Sequence, residues 1–209
     1  MFRIDHAVLA VRDLEESATR LWSLHGLRFL PGGRHPRWGT ANMIAPFGRD
    51  YLELLAVVDP DAGAATVLGR TLVELSRDGD RWFSVCLADD DIEATAQRLG
   101  LAVEPGGRMR PDGVEVRWRG AGIEARGDDL WLPFFIEWDV PPPLHPGAAL
   151  AEHRAPAEGI AWAEVGGDER RLEEWLGGAD APIRVVDGEP GVRAVGIGSG
   201  DGGEIVVRA

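Results

Sequence analysis

Two carboxylates stand in stretches that otherwise read as buried strand. Glu53 lies in Tyr51-Leu52-Glu53-Leu54-Leu55, and Glu137 lies in Phe134-Phe135-Ile136-Glu137-Trp138. A carboxylate inside such a run must be solvated, paired or metal-bound, because an isolated buried charge is costly. His6 sits in a third strand pattern, Ile4 to Val11, and shares a face by period two with Ile4, Val8 and Ala10. A strand carboxylate of this kind could move a proton as a general base. Thr40 and Asn42 have the same parity on a further strand, and His35 stands between Arg34 and Pro36 at a loop tip. The structural alternatives are a core-capping His6, edge solvation or an ion pair for the two carboxylates, and a solvent-exposed His35.

Positioning these residues falls to a repeat. In the first copy, strand Ile4 to Val11 runs into the acidic helix start Asp13-Leu14-Glu15. Apolar residues at Leu14, Ala18, Leu21 and Trp22 carry the helix until Gly26 stops it. A short strand, Leu27 to Leu30, then leads into Pro31-Gly32-Gly33-Arg34. The second copy has strand Trp82 to Ala88, helix start Asp91-Ile92-Glu93, a stop at Gly100, strand Leu101 to Glu104 and Pro105-Gly106-Gly107-Arg108. The tetrapeptides are 74 residues apart (31 to 105) and the helix starts 78 (13 to 91). The difference of four residues is about one helical turn, so the second helix is expected to be one turn shorter. Two more strand patterns complete each copy: Thr40 to Ala45 with Tyr51 to Val57, then Val114 to Arg119 with Trp131 to Trp138.

The pattern predicts an α+β fold of repeated βαβββ units, two of them (1–58 and 81–140) paired into a cupped mixed sheet. A helix over about 64–76 connects them. Residues 141–154, with three consecutive prolines, read as a linker. Residues 155–209 read as a third, degenerate βαβββ unit. An unpaired unit exposes a sheet edge and face, so it is expected either to pair with its own copy in a homodimer or to pack on the first two.

Composition narrows the function classes. Lys+Arg of 22 against Asp+Glu of 35 gives a net charge of −13, which disfavours nucleic acid and anionic membranes as partners. Arg34, Arg37, Arg108 and Arg110 form the only suggestion of a basic cluster. The one cysteine, Cys86, lies in an apolar run and reads as a small buried hydrophobe. No apolar stretch is long enough to span a bilayer and the N-terminus lacks a signal-peptide core, so a cytoplasmic location is expected. Eight tryptophans are many for this length, and Trp38, Trp118, Trp131 and Trp138 fall in or beside strands, where they could line a pocket.

Repeated βαβββ units with His in the first strand and Glu in the fourth resemble the vicinal-oxygen-chelate superfamily. Gly32-Gly33-Arg34-His35-Pro36, Gly39-Thr40-Ala41-Asn42 and Tyr51-Leu52-Glu53-Leu54-Leu55 are similar to its glyoxalase-like domains. The resemblance covers residues 1 to about 140. It implies a divalent metal held by side chains from the first and fourth strands of each unit. Carried over position by position, the metal ligands are His6, Glu53 and Glu137, and Ser84 takes the remaining first-strand position. Serine is a departure there, since a hydroxyl is a poor ligand for such ions. The resemblance further implies Zn, Mn, Ni or Fe as cofactor and Glu53 or Glu137 as a catalytic base. His35, Thr40, Asn42 and Ser84 would meet the substrate. The expected activity is a metal-dependent isomerase, epimerase or lyase on a small oxygenated molecule. The alternatives are a metal-free protein that sequesters a small molecule, and an interaction scaffold.

Overall fold

A computed structural model describes residues 1–209. The first unit comprises β1 (Arg3–Ala10), α1 (Leu14–His25), β2 (Leu30–His35), β3 (Thr40–Pro46) and β4 (Tyr51–Val57). Two short helices, α2 (Pro60–Ala64) and α3 (Val67–Leu75), lead to the second unit. It comprises β5 (Arg81–Ala88), α4 (Ile92–Leu99), β6 (Val103–Met109), β7 (Glu115–Ala121) and β8 (Phe134–Trp138). The eight strands close into a barrel in the order β1-β4-β3-β2-β6-β7-β8-β5. In each unit the fourth strand lies parallel to the first, and β1 runs antiparallel to β5 where the units meet.

Local chemistry sets the helix limits. Asp13 accepts the Glu16 N–H at the start of α1, and Asp91 does the same for Ala94 at α4. Each helix ends at a glycine in the left-handed region, Gly26 and Gly100. The helices have 12 and 8 residues, one turn apart.

The Pro-Gly-Gly-Arg tetrapeptides continue as strand. Both lie within strands, β2 and β6, which pair at Arg34 and Met109 to close the barrel. Their glycines serve close approach. A Cβ at Gly32 would overlap Asn42 and Arg108, one at Gly33 the Met109 carbonyl, and one at Gly106 the Trp118 ring.

The barrel has two environments. Outward residues of β1, β4, β5 and β8, including Leu9, Leu54, Leu87 and Phe135, join α1 and α4 in the main core. The C-terminal unit comprises β9 (Ala157–Gly166), α5 (Glu169–Leu176), β10 (Ile183–Val186), β11 (Gly191–Ser199) and β12 (Glu204–Arg208). Its Val165, Leu172, Val195 and Ile197 belong to that same core, so this unit packs on the outside of the barrel. It keeps the βαβββ element order, but its sheet runs β10-β9-β11-β12, with β10 beside β9 and parallel to it. The reading of a degenerate copy is therefore corrected in topology. The short α5 ends at Gly177, and its crossover returns β10 to the neighbour of the strand it left. No helix is long and apolar enough to cross a membrane.

Candidate functional site

The barrel interior begins with an irregularity in β1. The register between β1 and β5 shifts between Ile4 and His6. Strict alternation would send Asp5 and His6 to opposite faces, but the shift lets both side chains turn inward. His6 Nδ1 lies 2.7 Å from Asp5 Oδ1. The other Asp5 oxygen accepts the Trp138 indole N–H and faces His145 Nε2, each at 3.1 Å. Burial alone would raise the Asp5 pKa, yet its bonds to His145 and His6 hold the carboxyl well below the usual range.

The Asp5 bond assigns the His6 proton to Nδ1 and leaves the Nε2 lone pair facing the interior. There Nε2 stands 3.7 Å from Glu53 Oε2, beyond hydrogen-bond length but close enough for both atoms to meet one reacting group. Glu53 arrives from β4, which is parallel to β1 with Val8 opposite it. Its other oxygen accepts the Asn42 amide at 2.5 Å, and Asn42 Oδ1 accepts from Arg108 Nη1 at 3.0 Å. A single polar chain thus runs His145–Asp5–His6···Glu53–Asn42–Arg108. Tyr51 stacks on the His6 ring at 4.7 Å and Phe134 meets it edge-on at 5.6 Å, holding the imidazole orientation.

Thr40 and Asn42 face inward together, as their parity requires. His35 is buried at the end of β2 instead of exposed in a loop, with Nδ1 3.1 Å from Thr40 Oγ1 and rings of Trp38 and Trp118 beside it. Burial pushes its pKa down to about 4, with Arg108 reinforcing and Glu53 opposing the shift. His35 is therefore a neutral hydrogen-bonding group at physiological pH.

The second unit contributes differently from the first. On β8 the inward residues are Phe134, Ile136 and Trp138, which cluster with Cys86 and Trp118. Glu137 has the opposite parity. One of its oxygens accepts the Ile92 N–H at the start of α4 at 2.9 Å, and the other accepts from Arg119 at 2.5 Å. Its assignment as a metal ligand and catalytic base is corrected: Glu137 is an outward helix-capping carboxylate, placed by strand parity away from His6 and Glu53. Ser84 is fully buried and holds the guanidinium of Arg126, which also donates to the Leu132 carbonyl at 3.0 Å. Burial brings the Arg126 pKa down to about 10, which still leaves it cationic. Arg126 comes from 120–129, a segment whose glycines and acids signal only turns. His145 sits in the proline-rich segment, again without a sequence signal.

The donor set does not fit the metal centre that the resemblance implied. Only His6 and Glu53 converge of the three assigned ligands, whereas catalytic metal sites use about three protein ligands. The fourth position is filled by a serine bound to a buried cation. Asp5, His6 and Cys86 offer ligand atoms within 4.8 Å of one another, but Asp5 and His6 are bonded to each other through Oδ1 and Nδ1, and the second Asp5 oxygen is held by Trp138 and His145.

The sequence model of a glyoxalase-like domain matches residues 4–179, running through the barrel, the proline-rich segment, β9 and α5. The chain belongs to the glyoxalase-like domain family. The superfamily assignment made from the strand motifs stands with it. A hypothetical protein from Staphylococcus aureus shares the fold over most of this glyoxalase-like chain, with a TM-score of 0.76 and 18% identity, covering 95% of this chain and 92% of that one. Methylmalonyl-CoA epimerase from Mycobacterium tuberculosis aligns with a TM-score of 0.47 and 18% identity, over 64% of this chain and 86% of that one. A variant of the Streptomyces coelicolor epimerase, in complex with 2-nitronate-propionyl-CoA, aligns at 0.48 and 19%, over 66% and 98%. No curated protein matches the chain.

Proposed function

We propose that this glyoxalase-like protein binds a small oxygenated molecule in its barrel and moves a proton on it, in the manner of an isomerase or epimerase. The observation that carries this reading is the buried approach of His6 Nε2 to Glu53 Oε2 at 3.7 Å, each group held from behind. A substrate C–H next to a carbonyl, placed between them, would lose its proton to one and regain it from the other. Asp5 stabilises the imidazolium formed when His6 takes a proton. The Asn42–Arg108 pair sets a positive potential near the oxygen on which charge develops. Such positioned acid–base groups contribute about 10²- to 10⁴-fold to rate. The proton moves between His6 and Glu53 themselves, since of the three ligands the resemblance implied only these two converge.

The test is deuterium incorporation from heavy water into a panel of small 2-oxo and 2-hydroxy carbonyl compounds, followed by NMR. Metal content of the same chelator-treated protein is measured alongside. Exchange that survives metal removal and disappears in Glu53→Gln and His6→Gln is the expected result. Exchange restored only by a stoichiometric divalent metal would refute the metal-independent reading. A second reading, sequestration without chemistry, is favoured by the hold of Arg126 on Ser84, which commits the second unit to a structural bond. Ligand binding without exchange would select it.

A further inference from the structure

The polar chain through His6 and Glu53 runs from His145 to Arg108, and both ends meet one opening. A cleft of about 370 Å³, a size usual for small-molecule sites, is lined by Arg108, Arg110, Asp112, Ile44, Leu144 and His145 among others. Arg110 is paired with Asp112 at 2.8 Å, and His145 with Asp5. Arg108 is different. It is 5% exposed, has no carboxylate within ion-pair distance, and makes a single side-chain hydrogen bond, to Asn42. Its Nε is buried without a partner. A guanidinium has five donors in a planar fork, and leaving them unmade in a buried site is costly. The fold nevertheless makes room for this group. Gly32 on the facing strand has no Cβ, and one there would overlap both Arg108 and Asn42.

We propose that this cleft binds the carboxylate of a small anionic substrate, with Arg108 as its principal anchor. The assignment deepens the proton-transfer reading and rests on it for the word substrate, though the anion site itself does not. The apolar wall of Ile44 and Leu144 suits a short aliphatic body behind the carboxylate. A chain of net charge −13 that leaves a buried cation unpaired at an opening selects anions at that one place. Arg108 is two hydrogen bonds from Glu53, through Asn42. Both ends of the polar chain that holds His6 and Glu53, Arg108 and His145, thus line this one cleft.

Calorimetric titration of the full chain with propionate and succinate tests the site, with propionamide as the neutral control and sulfate at matched ionic strength. Saturable binding of the carboxylates, absent for the amide, is expected. Arg108→Gln should weaken it by about tenfold or more, as the loss of a charge-assisted bidentate contact implies. Arg49→Gln, an exposed arginine elsewhere, should leave it unchanged. If Arg108→Gln does not fold, Arg110→Glu at the cleft rim should weaken binding at least severalfold. Amide binding equal to acid binding, equal binding of sulfate, or an unchanged Kd in the foldable variant overturns the proposal. Carboxylate binding without proton exchange would refute the function and leave the anion site; exchange on neutral compounds alone, with no carboxylate binding, would do the reverse.

Discussion

Asp50 gives the sharpest test of the packing between barrel and C-terminal unit. It lies in the turn between β3 and β4, is 6% exposed, and accepts the Ile160 N–H of β9 at 2.9 Å. Burial pushes its pKa from 3.8 up to about 6, against the opposing Ile160 bond. The folded state therefore holds the proton more tightly than the unfolded chain does. The stabilisation from the protonated form is fully present below about pH 4 and is lost as pH rises through about 6. At neutral pH the buried charge then costs about 3 kcal/mol relative to the neutral acid. Asp50→Asn removes the charge and keeps a neutral acceptor for Ile160, as the protonated acid does; the stronger bond of the charged form is already contained in the net shift. The net gain at pH 7.5 is therefore about 3 kcal/mol, or roughly 6–12 °C in Tm for a chain of this size. At pH 4 the variant and the wild type should differ little. Urea unfolding followed by tryptophan fluorescence from pH 4 to 8 measures the difference directly. A variant destabilised equally at both ends of that range would refute the argument, since the bond to Ile160 and not the charge would then dominate.

Other outcomes follow from the same geometry. Glu137→Ala should lower stability by about 1 kcal/mol in thermal unfolding through the lost cap on α4, with ligand binding and proton exchange unchanged. Phe135→Ala, at a fully buried position of the main core against the Phe2 ring, should cost about 3–5 kcal/mol in denaturant unfolding. His145→Ala should destabilise the protein by about 1–3 kcal/mol and speed amide hydrogen exchange over residues 141–149, because Asp5 loses one of its partners.

The assignments that failed in the sequence share a cause. Glu137 stands out as a charge in an apolar run, but which face it takes depends on the pairing register of β8 with β5, a one-residue matter. The outward position has its own partners, the Ile92 N–H and Arg119, which no reading of β8 alone supplies. Asp5 was hidden for the opposite reason: alternation sends it outward, and only the irregular β1–β5 register turns it in beside His6. Arg126 and His145 reach the site from irregular segments, where spacing carries no information about direction.

By itself the sequence determined the alternation of strands and helices, the Asp starts and Gly stops of the helices, and the anomaly of His6 and Glu53. These depend on local backbone preference and on the cost of a buried charge, both of which act within a few residues. Only the tertiary structure decided that the two groups face one another, that Glu137 caps a helix, and that Ser84 is bound by Arg126. It also decided that Arg108 opens on a cleft without a carboxylate partner. Those outcomes depend on strand register and barrel closure, which are set by packing between segments distant in the chain.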